Sequence, residues 1–360
     1  MTTIVPAEAD GPGAPPEQSS HRGRRLVLVL GLLLVLTLGS AVVAVPYYAI
    51  SPGSAVDLAG LVKVVDVPSF PPQGTISLTT VSLRPVSALA AVRGWLDPSV
   101  DVVERDRVLP PSVDGGDLRA FNLRQMDDSK RQAVAVALER LGYDAVTGSG
   151  AEVVQVVPGS PAAGALAAGD VIVGFDGDVV PTHRDLIRLL GRRQPGASVD
   201  VVIRSGGAEE RTAAVTLAAD PEEAGRAFLG ATLRTRDFRF DFPFEVDISS
   251  DRIGGPSAGL AFTLEVLDLL SAGELTGGQR VAATGTIELD GSVGEVGGVA
   301  QKTAAVKGAG IGLFLVPRGE LDEATRLAGD RLRVEPVDTL DDALAVLVSQ
   351  GGDPLPPGPS

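Results

Sequence analysis

Two glycine-rich segments in the last third of the chain hold the residues whose type and spacing could do chemistry. The first is Arg252-Ile253-Gly254-Gly255-Pro256-Ser257-Ala258-Gly259-Leu260. It follows an alternating apolar run, Phe242, Phe244, Val246 and Ile248, which predicts a strand over 242–248. It precedes an apolar stretch that predicts a helix over about 258–270. A serine where a turn enters a helix has small neighbours that admit a substrate backbone. It also has helix-terminal amides that can hold a developing oxyanion. The backbone of Gly255, Pro256, Ser257 and Ala258 is the candidate for that role. Plain N-capping by Ser257 is the alternative reading.

A serine nucleophile needs a base. The chain has two histidines. His21 lies in an N-terminal tail, and His183 stands beside Pro181 and Thr182 in a separate module, so the terminal domain has none. Arginine does not deprotonate, which leaves lysine. Lys63, Lys130, Lys302 and Lys307 are the only lysines among 31 Lys and Arg, and only the last two fall in this domain. Lys302 ends the second segment, Gly291-Ser292-Val293-Gly294-Glu295-Val296-Gly297-Gly298-Val299-Ala300-Gln301-Lys302. It sits about one turn into a predicted helix, with Val299, Ala305 and Val306 at helical spacing. Apolar burial there would bring a lysine from ~10.4 toward ~7–8, where it can act as a base. A snorkelling surface lysine is the alternative. Lys307 lies further round the helix and reads as solvated. A phosphate loop is excluded: no Lys-Ser or Lys-Thr closes the first segment, and Gln301 stands where a Walker motif before Lys302-Thr303 needs glycine.

The elements that must position these residues lie along 360 residues with a net charge of −15. That length is a prior for two or three domains, and that charge is a poor match for a nucleic-acid backbone. There is no cysteine, so disulfides and Cys-based metal sites are excluded. No metal site is visible, and the chemistry sketched above needs no cofactor. Residues 1–21 read as a disordered tail. Arg22, Arg24 and Arg25 then precede an uncharged run, Leu26 to Val45. Its roughly 20 residues match a ~30 Å hydrocarbon layer. The span 22–45 therefore reads as a membrane anchor, with the tail cytoplasmic and everything after it extracytoplasmic. A cleaved signal peptide ending near Val42-Val43-Ala44 is the second reading, but the run is long for one.

Residues 46–126 read as a β-rich connecting region without chemistry, with a strand over Thr75–Leu83. A helix is predicted over 127–142, closed by Gly142. Residues 127–218 form a β-rich module: strands at 151–157, 171–175, 199–204 and 212–217, a short helix at 162–167, a hairpin turn at Asp176-Gly177 and an amphipathic helix at 184–190. Residues 219–225 read as a linker, 226–348 as the terminal domain and 349–360 as a flexible tail.

The stretch VVQVVPGSPAAGALAAGDVIVGFDG resembles a PDZ domain of the bacterial protease-associated kind. The resemblance implies capture of an extended polypeptide, often by its free C-terminus, through strand addition. A spacer with a non-functional groove is the alternative. In permuted PDZ domains the binding loop would lie upstream of the helix, near Phe121 to Arg124. GGPSAG, TGTIELDGSVGEVGG, the lysine in GGVAQK, and TAAVKGAGI before FLVP together resemble the proteolytic domain of the Lon protease family over about 120 residues. That resemblance implies Ser257 as nucleophile, Lys302 as general base and Thr284 as the threonine that hydrogen-bonds the lysine. It departs from the family at Gly254, where an aspartate is usual, and in lacking an ATPase motif. The order of segments is similar to PDZ-containing Lon-like membrane proteases of Gram-positive bacteria, including actinobacteria. The fold class implied is α+β multidomain: a transmembrane helix, a β-rich PDZ-like domain and an α+β Lon-type domain. The implied function is ATP-independent serine endopeptidase activity on exported or unfolded polypeptides. Ring-shaped homo-oligomers follow by analogy alone. An inactive peptide-binding scaffold and a dedicated single-substrate processing protease are the rival readings.

Overall fold

The computed structural model describes residues 20–108, 115–206, 210–221, 223, 225–250 and 253–355. The chain starts with helix α1 (Ser20–Val42), followed by β1 (Ala44–Asp57), β2 (Val62–Val64), β3 (Thr75–Ser87), α2 (Ala88–Leu96), β4 (Asp101–Glu104) and a single turn α3 (Arg105–Val108). A long helix α4 (Gly115–Arg140) leads into β5 (Val146–Thr147), β6 (Ala151–Val156), β7 (Val171–Phe175), β8 (Asp178–Val179), α5 (His183–Gly191), β9 (Ser198–Arg204) and β10 (Glu210–Thr216). Short strands come next: β11 (Ala218–Ala219), β12 (Ala227–Phe228), β13 (Ala231–Thr235), β14 (Arg239–Phe240) and β15 (Val246–Ile248). The last part holds α6 (Gly259–Leu270), β16 (Arg280–Ala283), β17 (Thr286–Ile287), β18 (Val293–Gly294), α7 (Val299–Gly308), β19 (Leu313–Pro317), α8 (Leu321–Ala328), β20 (Arg333–Val337) and α9 (Leu340–Ser349).

Two units divide the chain, one of residues 1–51 and 82–113, the other of 52–81 and 114–360. In the first, β1 pairs antiparallel with β4, Tyr47 opposite Glu104 and Ile50 opposite Asp101. Tyr47 meets Trp95 of α2 edge to face, ring centroids 6.1 Å apart. Leu26, Val27, Leu28, Val29, Leu30, Leu32, Leu34 and Val35 of α1 are exposed. The helix ends at Val42, three residues before the apolar run does, and Ala44 already begins a strand. Among the described residues no helix is long and apolar enough to cross a membrane. Of the expected tail, residues 1–19 lie outside the described residues, and Ser20 and His21 already belong to α1.

In the second unit β20, β19, β16 and β3 pair in that order, all parallel. Thr75 to Leu78 pair with Arg280 to Ala283. The region expected to be a connector therefore supplies a strand to the sheet that carries the terminal domain. The α6 sequence has apolar residues all round, which a helix tolerates only in an interior. It is buried continuously from Gly259 to Asp268. Met126, Ala133 and Ala137 of α4 pack in the same core with Leu260, Phe262, Leu264 and Leu267.

The module around β6 to β10 has its own core, with Phe175, Ile172, Leu186, Val201 and Ile203 at its centre. Its sheet runs β10-β9-β7-β6-β13. Asp176 and Gly177 both take positive φ, 54° and 91°, as the hairpin turn predicted there requires. Thr182 and Asp185 form a reciprocal capping box at the start of α5.

Several boundaries differ from expectation. The helix predicted over 127–142 begins at Gly115, so Phe121 to Arg124 form part of α4 and no binding loop exists there. Residues 162–167 form turns rather than a helix. The strand predicted over 242–248 shrinks to Val246–Ile248, while Phe242 and Phe244 pack on the core without a ladder. The module's sheet recruits Ala231–Thr235 from beyond 218, and the linker is closed by the β11–β12 pair. The tail is tied down through Asp353, whose amide donates to Glu274 O and whose carboxylate accepts from Glu274 N.

Candidate active site

Ser257 lies in the loop between β15 and α6. Gly255 takes φ +96°, a backbone geometry side chains resist. Ala258 is the N-cap of α6, and no side chain caps that terminus. The capping alternative for Ser257 therefore fails, and its hydroxyl has no hydrogen-bond role in the helix start. Gly259 has to be glycine: a Cβ there would sit 2.9 Å from both Ile287 N and its Cγ2.

Lys302 projects from the second turn of α7, whose first amides are anchored by Lys302 N donating to Gly298 O. The side chain is 2% exposed, so the snorkelling alternative fails as well. Burial pushes the ammonium down from 10.5 to about 8, opposed by the negative charge of Glu320. Lys302 Nζ donates to Thr284 Oγ1 at 3.0 Å. Thr284 is fully buried just after β16 and is held by its own amide donating to Leu315 O. Thr284 Oγ1 in turn donates to the carbonyl of Ser257 at 3.2 Å, which also accepts from Gly285 N at 3.0 Å. Lysine, threonine and serine are thus linked in one chain of contacts, through the serine's backbone rather than its hydroxyl. Lys307 is exposed and donates to Leu327 O.

Of the four backbone positions read as oxyanion donors, two do not serve. Pro256 has no N–H, and Gly255 N already donates to Asn122 O of α4 at 2.8 Å. The amides of Ser257 and Ala258 have no backbone acceptor among the described residues. Gly254 also acquires a reason. A Cβ there would lie 3.0 Å from Asn122 Cβ and 3.2 Å from its carbonyl carbon, so α4 fills the space an acidic side chain would need.

Glu320 is a site residue the sequence reading missed. Its Oε1 accepts Val296 N at 3.0 Å, its Oε2 is buried with no hydrogen-bond partner among the described residues, and burial raises its pKa. No motif marks it, because it follows β19 in an otherwise ordinary turn. Among the described residues, no three His, Cys, Asp or Glu could together hold a metal ion.

Residues 124–217 match the PDZ domain family and residues 249–350 match the Lon protease (S16) C-terminal proteolytic domain. The chain is 35% identical over 112 residues to the peroxisomal Lon protease homolog 2 of Eremothecium gossypii, covering 31% of this chain and 11% of that protein. It is 32% identical over 123 residues to the Lon protease of Clostridioides difficile, covering 33% and 15%. The Lon protease of Neorickettsia sennetsu is 30% identical over 104 residues, covering 28% and 12%. The chain thus spans a small fraction of these relatives' length. Among solved structures, the PDZ domain of an SdrC-like protein from Listeria monocytogenes is 30% identical, covering 24% of this chain and 90% of that one, with a TM-score of 0.22.

Proposed function

From the premise that this chain carries a PDZ domain and a Lon-type proteolytic domain, we propose that it is an ATP-independent serine endopeptidase using Ser257 and Lys302. The observation that carries this is the buried Lys302, brought to about 8 by desolvation and tied through Thr284 to the Ser257 backbone. Neutral Lys302 takes the proton of the Ser257 hydroxyl as its oxygen attacks the scissile carbonyl. The tetrahedral oxyanion rests on the amides of Ser257 and Ala258. The lysine ammonium then gives its proton to the leaving amine, and water, deprotonated by the same lysine, cleaves the acyl-enzyme.

Substrate capture falls to the edge strand β13. It closes one side of the PDZ sheet and lies along α5, where His183 N donates to Thr235 Oγ1 at 3.2 Å. An extended polypeptide would add to its outer edge, its terminal carboxylate directed at the turn before β13, where Gly230 takes φ +84°. Attachment to a membrane rests on the arginines at 22–25 and the uncharged run Leu26–Val45, and would place both domains outside the cytoplasm. ATP independence rests on the chemistry itself, since the steps above move only protons among Ser257, Lys302, the leaving amine and water and consume no nucleotide.

The test is hydrolysis of denatured casein by the full chain without nucleotide, beside Ser257→Ala and Lys302→Ala. Cleavage by the unaltered protein, lost in both variants, is the expected result. Cleavage surviving in either would sink the assignment.

A further inference from the structure

The nucleophile loop is tethered by α4, which runs from Gly115 into the PDZ-matched segment that begins at residue 124. Ser129 of α4 is 6% exposed, and its Oγ donates to the carbonyl of Pro256 at 3.0 Å. Two turns earlier in α4, Asn122 O accepts Gly255 N at 2.8 Å. The missing Cβ of Gly254 lets the helix come this close.

We propose that Ser129 is a positioning residue for the oxyanion-holding amide of Ser257, an inference that rests on the peptidase reading above. The proline ring fixes φ of Pro256, so the loop's remaining freedom at this point is rotation of the Pro256–Ser257 peptide plane. No peptide bond in the described chain is cis. In a trans peptide the carbonyl and the following N–H point in opposite directions. Pinning the Pro256 carbonyl to α4 therefore aims the Ser257 N–H away from α4, and that amide has no backbone acceptor among the described residues. Among the described residues the only other donor to the Pro256 carbonyl is Gly259 N, at a long 3.4 Å. Without the Ser129 hydroxyl the plane is held only by that weak bond. An oxyanion donor matters when charge develops and not when substrate binds, so loss of its alignment lowers kcat and leaves KM in place.

Steady-state hydrolysis of fluorescein-labelled denatured casein by the full chain tests this, using Ser129→Ala, Ser129→Thr and Ser257→Ala, with thermal melts of each. Removing an oxyanion donor outright costs ~10²–10³ in kcat, and misaligning one should cost ~10- to 100-fold. The expected result is that loss in Ser129→Ala with KM within about twofold, a rising pH limb unchanged because Lys302 is untouched, and recovery in Ser129→Thr, which keeps the hydroxyl. Unchanged kcat in Ser129→Ala, with activity abolished in Ser257→Ala, overturns the proposal alone. So does a kcat loss that tracks a fall in melting temperature and is not restored by threonine. Hydrolysis surviving in Ser257→Ala removes the peptidase reading and this proposal with it.

Discussion

Lys302→Met should stabilise the protein at neutral pH while abolishing its activity. The lysine is 2% exposed and its pKa falls from 10.5 in the open chain to about 8 in the fold. The unfolded chain therefore binds more protons than the folded one between these values, and stability rises with pH across that window. Below about 8 the cost is complete, and the fall from 10.5 to about 8 corresponds to roughly 3 kcal/mol at pH 7. At pH 10 most of it has gone, because the unfolded lysine is itself losing its proton, and about 1 kcal/mol remains. Methionine fills similar space and carries no charge. Its lost hydrogen bond to Thr284 and its packing change are nearly independent of pH, so they cancel on comparing two pH values. The advantage of Lys302→Met over the unaltered protein should be roughly 2 kcal/mol larger at pH 7 than at pH 10. Urea denaturation of both proteins at both pH values measures it directly. An advantage that is equal at the two pH values would mean Lys302 is not desolvated, and the base argument would fall with it.

Glu265 of α6 is a second buried titratable group. It is 1% exposed, neither carboxyl oxygen has a hydrogen-bond partner among the described residues, and burial with the nearby charge of Asp268 raises its pKa to about 8. Because its folded pKa is raised, the stability it permits is full below pH 4.5 and is lost as pH climbs toward 8. Glu265→Gln should thus gain up to about 5 kcal/mol over the unaltered protein between pH 4 and pH 9, read from urea midpoints; a pH-independent difference would contradict this. Gly254→Asp, which restores the residue usual in Lon, should not improve catalysis here. The new Cβ meets Asn122 at 3.0 Å, and overpacking of this kind costs about 1–3 kcal/mol. A melt unchanged from the parent, with equal or faster casein hydrolysis, would show that α4 does not occupy that space.

Several features were legible in the sequence because they follow from residue type or local spacing. The scarcity of histidine and lysine narrowed the candidate base to Lys302 and Lys307. Thr182 three residues before Asp185 dictates the start of α5, and Asp176-Gly177 dictates a turn with positive φ. Apolar residues on every face of α6 place it in the interior. Other features depended on which segments meet across long separations, and period-two or period-3.6 patterns carry no such information. The strand at Thr75–Leu83 reads as an isolated β segment until it pairs with β16, some 200 positions later. Residues 231–235 give no sign that they will complete the PDZ sheet rather than the protease domain. The burial of Lys302, the charge of Glu320 upon it and the hold of α4 on the nucleophile loop arise only once the chain has packed. The sequence by itself thus determined which side chains could react. Tertiary structure decided which amides stay free for them and how much a charge costs there, since desolvation and hydrogen-bond competition depend on every segment around the site.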